Sequence, residues 1–266
     1  MEEYVHIVPL GWEVDRAVLP LKKMHAHRVY ILCNPDSHVH QKHFCKMVEE
    51  FLHKNNIGFQ IVKVDANLDL KGVMREVARL IQLEFNKGNR VYVNMSAAGK
   101  IGSIASSLAT MAHLKKGGGA LYHVIPEDYT EDQEIRMKHG LARGMKGEPI
   151  FLPLFDLRLP NLEGGIVLTA LASHPKKQLV YKEIIELLRK NKVRGFEDAM
   201  YGKKTSRDVK NKLNITLNKR IIHKLHEESL IEIEKQGRSR LVKLTDSGEY
   251  MASLCYSINN NYDNLE

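Results

Sequence analysis

Asn94-Met95-Ser96-Ala97-Ala98-Gly99-Lys100 is the segment of this 266-residue chain best suited to hold an anion. It follows a short apolar run and precedes a helical pattern. Small residues let a ligand approach the backbone, and the start of the following helix offers free N–H groups and a positive dipole end. Ser96 adds a hydroxyl and Lys100 a cation suited to a phosphate. The spacing GxxxxGK[ST] of a nucleoside-triphosphate loop is missing, and no GxGxxG follows the first apolar run. Pro9-Leu10-Gly11-Trp12 stands there instead, which disfavours a dinucleotide redox cofactor. Trp12, the sole tryptophan, could stack on a base, and Arg16 could meet a phosphate. The bland alternatives stay open: a tight turn that caps a helix for Ser96 to Gly99, and padding of a domain edge or dimer interface for Trp12.

A second group of residues suits a polyanion. Lys203, Lys204, Arg207, Lys210, Lys212, Lys219, Arg220 and Lys224 face one acid, Asp208, and Arg238 and Arg240 follow. Asn211, Asn214, Thr216 and Asn218 lie among them and could hydrogen-bond base edges. The alternative is a solvated basic helix face.

The elements that must carry these groups follow from periodicity. Short apolar runs at Tyr4–Val8, Val29–Cys33, Phe59–Val64, Arg90–Asn94 and Ala120–Ile125 are bounded by turn residues, as in buried parallel strands. One-sided apolar patterns predict helices at His40–Asn55, Leu70–Asn86 and Gly99–Leu114. The β-α-β order predicts an α/β fold with a doubly wound parallel, Rossmann-like sheet, and ligands of such sheets bind beyond the carboxyl ends of the strands. The loops to inspect are therefore Pro9–Asp15, Asn34–His38, Asp65–Asp69, Asn94–Lys100 and Pro126–Tyr129. After the Pro-punctuated run Phe151–Pro160 come a short helix (Ile166–Ser173), a second (Leu179–Lys190) and a long third pattern (Ser206–Ser229). Strands at Leu230–Lys235 and Arg240–Leu244 then flank a turn at Gln236–Ser239, and Thr245–Gly248 caps a final helix. That order is a winged helix-turn-helix, whose third helix enters the major groove while the wing reaches the backbone. The stretch Val193–Thr205 is longer than a tight connection and is either an extra helix or a loop. The domains expected are a sensor over residues 1–160, a DNA-binding winged helix over 161–257, and a polar tail over 258–266.

Bulk composition narrows the class. The net charge is +8, hydrophobic residues make up 43% and charged residues 27% of the chain, an ordinary core-forming composition with a bias towards anionic partners. Cys33, Cys45 and Cys255 form no CxxC pair, which argues against a disulfide framework or zinc site and for a reducing, cytoplasmic location. No apolar run reaches the ~18 residues of a membrane span, and the first residues lack the basic flank and long apolar region of a signal peptide. No metal, no cofactor and no catalytic residue is expected.

Taken together, the Pro9–Trp12 loop, the Asn94–Lys100 loop and the run into the winged helix resemble archaeal transcription regulators that pair a CRISPR-associated Rossmann-fold (CARF) domain with a winged helix. The resemblance implies a homodimer in which the two fourth-strand loops meet near the two-fold axis and bind a cyclic oligoadenylate, usually the tetramer. It places Ser96, Gly99 and Lys100 on phosphates or ribose, with Leu10, Gly11, Trp12 and Arg16 flanking the ligand and Asn94, Met95, Ala97 and Ala98 completing the loop. The winged helices would hold double-stranded DNA, and ligand would shift their relative placement. Three rivals stay open: cleavage of the cyclic ligand, with Lys100 stabilising charge; a regulator that senses another nucleotide, or none, its first domain serving only for dimerisation, since Ala97 and Ala98 stand where many members have glycine or threonine; and a winged helix that binds protein.

Overall fold

Apolar runs closed by Pro, Asn or Asp build the first five strands: β1 (Tyr4–Pro9), β2 (Arg28–Cys33), β3 (Gly58–Lys63), β4 (Arg90–Asn94) and β5 (Gly119–His123). The computed structural model describes residues 2–36, 38–115, 117–197, 206–236 and 239–259, and it divides into two units, Met1–Leu157 and Arg158–Glu266. Helices α1 (Asp15–Lys23), α2 (Val39–Lys54), α3 (Leu70–Asn86) and α4 (Lys100–His113) alternate with the strands. The sheet order is β3-β2-β1-β4-β5-β8, with β1 to β5 parallel and β8 (Ile150–Leu152) antiparallel to β5. The expected doubly wound sheet is thus present but mostly parallel, because part of the Phe151–Pro160 run serves as its edge strand.

Val8, Val29 and Ile31 of the sheet pack with Ala17, Val18 and Leu21 of α1 and with Phe44, Val48 and Leu52 of α2. Right-handed crossovers place α3 and α4, which lie side by side, on the opposite face. Chain direction across the sheet therefore reverses at β1, between β2 and β4. The loops leaving β1 and β4 diverge to opposite faces there and open a crevice. Asp69 caps α3 by accepting from the Gly72 N–H at 2.8 Å, and His38 caps α2 through the His40 N–H at 3.1 Å. Gly99 caps α4 with no side-chain hydrogen bond. Between β5 and β8 lies an excursion that periodicity did not predict: β6 (Asp128–Tyr129), α5 (Gln133–His139) and β7 (Ala142–Arg143), with β6 and β7 antiparallel.

The second unit begins with α6 (Leu162–Ser173), capped by Asn161, and continues with β9 (Gln178–Val180) and α7 (Tyr181–Lys190). Helix α8 (Arg207–Leu217) runs through one π-helical turn (Asn218–Ile222) into α9 (His223–Glu227). Leu217, Ile221, Ile222 and Leu225 are all buried along it, on one helical stripe. Strands β10 (Ile231–Gln236) and β11 (Ser239–Leu244) form the wing hairpin, and α10 (Asp246–Asn259) follows. Leu179, expected at a helix start, instead lies in β9, which pairs with β11 and widens the wing sheet to the order β10-β11-β9. Ile258 and Asn259, expected in the tail, belong to α10, and the rest of the tail lies outside the described residues. Among the described residues, no helix is long and apolar enough to cross a membrane.

The start of α4 is held against the loop after β3. A Cβ added to Gly102 would run into the Ala66 carbonyl oxygen and lie 2.7 Å from Ala98 Cβ. Gly102→Ala is expected to cost about 1–3 kcal/mol, since backbone must shift to admit it. Trp12 lies in the first unit and is the sole tryptophan, so urea unfolding followed by its fluorescence reads that unit. A midpoint equal to that of the unmodified protein would show that the contact is not tight.

Candidate functional site

Two loops form the floor of the crevice. The Gly11 N–H after β1 donates to the Ala97 carbonyl after β4 at 2.7 Å. A Cβ on Gly11 would lie 2.8 Å from Asn67 Oδ1, 3.1 Å from Ala97 O and 3.1 Å from Gly99 N, so the close approach needs glycine. Leu10 and Ala97 are fully buried beneath it.

Two amides then draw in the neighbouring elements. Asn67 Oδ1 accepts from the Gly99 N–H at 3.2 Å, and Asn67 Nδ2 donates to Gln41 Oε1 at 3.3 Å. Gln41 Nε2 donates to the Leu10 carbonyl at 2.8 Å. Asp65 Oδ1 accepts from the Asn67 and Leu68 N–H groups at 2.9 and 3.1 Å, an Asx turn that presents Asn67 to the crevice. Sequence reasoning singled out the Asp65–Asp69 loop but neither amide.

The result is a cavity of about 380 Å³ lined by Trp12, Glu13, His38, Gln41, Asp65, Asn67, Leu68, Ala98, Gly99 and Leu141. Trp12 is 39% exposed, and its ring lies 5.7 Å from those of His38 and His40. Trp12, His40 and Leu141 also border a second cavity of about 290 Å³ with Phe44, Arg136 and Met137. The excursion after β5 supplies Leu141, whose N–H donates to the Trp12 carbonyl at 2.9 Å.

The other residues singled out from the sequence are placed differently. Asn94 is buried and braces the turn: Nδ2 donates to the Arg16 carbonyl at 2.8 Å and Oδ1 accepts from the Ser96 N–H at 2.8 Å. Ser96 is buried as well. Its Oγ accepts from the Val124 N–H at 2.6 Å and lies 3.1 Å from His123 Nδ1. Burial, aided by Arg16, lowers the His123 pKa, so the neutral ring can accept the Ser96 proton. Arg16 is buried too, donating from Nε to the Val124 carbonyl at 3.0 Å and standing 3.4 Å from Glu13 Oε1. Met95 is half-buried, its carbonyl accepting from Ser103 Oγ at 2.6 Å. Lys100 is exposed at the first turn of α4. Of the residues expected around a ligand, Trp12, Ala98 and Gly99 therefore line the cavity directly. Leu10, Asn94, Ser96, Ala97 and Arg16 support it from below.

In the second unit, Arg207, Asn211, Lys212 and Lys219 are exposed along α8 and its π turn, and Lys210, Asn214 and Thr216 are half-buried. Thr216 Oγ1 donates back to the Lys212 carbonyl at 2.9 Å. Asn218 Oδ1 accepts from Tyr181 Oη at 2.8 Å and lies 3.4 Å from Arg240 Nη1, while the Arg240 guanidinium sits 5.7 Å from the centre of the Tyr181 ring. Asn218 and Arg240 thus tie the long helix to the wing through Tyr181, which the sequence did not single out. Arg220 pairs with Glu163 and donates to the Arg194 carbonyl at 2.8 Å, making it a brace rather than a surface cation. Ile215, 56% exposed, adds an apolar group to the basic face. Lys203, Lys204 and Arg238 lie outside the described residues, as do all of residues 198–205 of the Val193–Thr205 stretch.

These features define an α/β, Rossmann-like unit followed by a winged helix. Residues 4–129 match the family model described as HFX_2341_N:-like, N-terminal, and residues 165–256 match that of the DUF6293 C-terminal winged helix domain. A relative, an uncharacterized protein of Methanocaldococcus jannaschii, is 25% identical over 201 residues, which cover 68% of this chain and 59% of the relative. Similar solved structures include a protein from Vibrio cholerae (12% identity, 98% of this chain and 69% of that one, TM-score 0.40). Csm6 of Enterococcus italicus, bound to cyclic hexa-2'-fluoro-hexa-dAMP, is 10% identical over 86% of this chain and 59% of its own, with a TM-score of 0.42. Can2 of Sulfobacillus thermosulfidooxidans, in complex with cyclic tetra-adenylate, is 12% identical over 98% of this chain and 68% of its own, with a TM-score of 0.37.

Glu13 on the cavity wall gives a pH signature. Burial pushes its carboxyl up to about 7, against the opposing pull of the Arg16 guanidinium and the Ala142 N–H. The folded state therefore holds a proton that the unfolded chain releases. This contribution is complete below the ordinary value of 4.5 and is lost as pH rises through about 7. The melting temperature should fall across that window, and Glu13→Gln should flatten the fall. Calorimetry at stepped pH checks this, and an equally steep fall in the variant would remove Glu13 as its source.

Proposed function

We propose that this chain is a DNA-binding transcription regulator of the CARF type, acting in the cytoplasm as a homodimer whose first unit senses a cyclic oligoadenylate. The observation that carries the reading is the cavity at the sheet's reversal point. Small residues and the Gln41 and Asn67 amides line or border it, and it opens at the start of α4, whose N-cap Gly99 has no side chain and gives its own N–H to Asn67. Phosphate or ribose oxygens suit that helix start, with Lys100 supplying a cation. Trp12 and His38 offer flat surfaces for a base.

A symmetric partner is supported by α4 itself. Ile101, Ile104, Leu108 and Met111 recur at helical spacing, Ile104 being 51% exposed and the other three half-buried. Pairing two copies along that stripe would bring two Gly99–Lys100 segments towards one two-fold axis, where a two-fold ligand such as cyclic tetra-adenylate fits. The ligand would bind one arrangement of the dimer better than another, by about 1–3 kcal/mol for a useful switch, and so bias the winged helices on double-stranded DNA. We infer that the ligand is read rather than cut. The one loop hydroxyl that could assist attack, Ser96 Oγ, is already engaged with Val124 and His123.

Cyclic tetra-adenylate, titrated calorimetrically and recovered intact afterwards, should bind and raise the melting temperature. At about a hundredfold above Kd the gain is ~2.7 kcal/mol. Lys100→Ala should weaken binding and leave the fold intact. Equal affinity in the variant would remove the helix start from the site, and a linear product would make the chain a nuclease. For DNA, log K should fall steeply against log salt, and Arg207→Ala and Lys219→Ala should each lower the slope by ~0.9. A flat plot would refute the basic face as a nucleic-acid surface.

A further inference from the structure

The three cysteines carry no pairing motif in sequence, yet two of them meet. Cys33 closes β2 and is fully buried; Cys45 faces it from α2 and is 1% exposed. They are 12 positions apart, and their Sγ atoms lie 2.6 Å from each other. That is nearer to the ~2.05 Å of a sulfur–sulfur bond than uncrowded thiols would choose. The hydrogen bond to Cys33, burial and Glu49, 3.6 Å away, all hold the Cys45 thiol in its protonated form. While it stays buried and protonated, the Cys45 thiol cannot attack, so its chemistry needs the helix to open, and among the described residues no cluster of three His, Cys, Asp or Glu could take a metal ion. The contact between the two sulfurs makes pairing the chemistry they are placed for.

We propose that Cys33 and Cys45 are a disulfide-forming pair that locks one wall of the cavity. The ring closed by the bond spans residues 33–45, which include His38 and Gln41. His38 lines the cavity, and Gln41 ties α2 to the Leu10 carbonyl and to Asn67. The oxidant is a small-molecule disulfide such as oxidised glutathione. When the start of α2 opens, one cysteine loses its proton and attacks the oxidant, forming a mixed disulfide and expelling one small thiolate, which takes up a proton. The second cysteine, deprotonated in turn, attacks the protein sulfur of that mixed disulfide and expels the second small thiolate. Two protein thiols and one small disulfide thus become one protein disulfide and two small thiols, with two electrons passing to the oxidant. Once α2 closes over it, the buried bond is shielded from attack by small thiols. The inference is independent of the function proposed above.

The test uses the whole chain, treated with oxidised glutathione or with a reductant. Oxidation should lower the intact mass by two hydrogens, and a non-reducing digest should yield one cross-link joining the Cys33 and Cys45 peptides. Cys255→Ser, with its cysteine in the other unit, should give the same cross-link, and Cys45→Ala should not. The oxidised protein should melt higher than the reduced one, and amide exchange across residues 38–41 should slow several-fold. Three thiols still titrating in denaturant after oxidation, or a cross-link to Cys255 or between chains, would overturn the pairing; both readouts need only the unmodified protein. A Cys33–Cys45 bond that leaves exchange across 38–41 unchanged would overturn the lock on the cavity wall.

Discussion

The hydrogen bond from the Gly11 N–H to the Ala97 carbonyl is the contact on which the first unit's crevice depends. At β1 the chain's direction across the sheet reverses, so the loops leaving β1 and β4 turn to opposite faces. Left to sterics alone they would splay apart. One backbone bond at a residue without a Cβ closes them, and Asn67 and Gln41 extend the closure to the starts of α3 and α2. The start of α4 faces the resulting space at Gly99, whose N–H is held by Asn67. The buried polar groups just beneath it, Asn94, Ser96 and Arg16, serve to hold that arrangement.

The second unit divides its basic residues between two tasks. Arg220 is used internally against Glu163 and the Arg194 carbonyl, and Arg240 lies against Tyr181 and Asn218. These contacts fix the angle between the long helix and the wing, which any protein inserting both into DNA must hold constant. Arg207, Lys212 and Lys219 stay exposed. Exposed lysines and arginines contribute little to folding, so their concentration on one helix points to a partner rather than to stability.

Periodicity sufficed for the five parallel strands, for α2, α3 and α4 between them and for the winged-helix order, because each repeats its apolar spacing over enough residues, whereas it gave no bounds for the shorter α1. It failed at β8, three residues between Pro149 and Pro153 whose role depends on β5 alone. It gave no sign of the π turn, because Leu217, Ile221, Ile222 and Leu225 carry the spacing of a plain helix. For the site, the loops could be named because small residues and turn signals mark them. Which side chains face the cavity could not, since the deciding partners lie far off in sequence. Ser96 turns inward to meet Val124, 28 positions on, and Arg16 to meet its carbonyl 108 positions away. Gln41 and Asn67, 26 positions apart, gave no local sign that they meet. Cys33 and Cys45 were hidden in the same way, by a helix turn and a loop between them.

The electrostatics of the cavity limit what can occupy it. Two carboxyls line it, which at first sight opposes an anionic guest. Asp65, however, is engaged by two backbone N–H groups, and Glu13 is pushed up to about 7, so only part of its population is charged near neutrality. The inner wall therefore presents amides, aromatic rings and backbone, a surface that suits the uncharged parts of a nucleotide, and Lys100 is exposed one residue beyond Gly99. A free inorganic anion, with no apolar part to bury, suits that wall less, because it would lose its hydration to a surface that carries no Lys or Arg among the described lining residues.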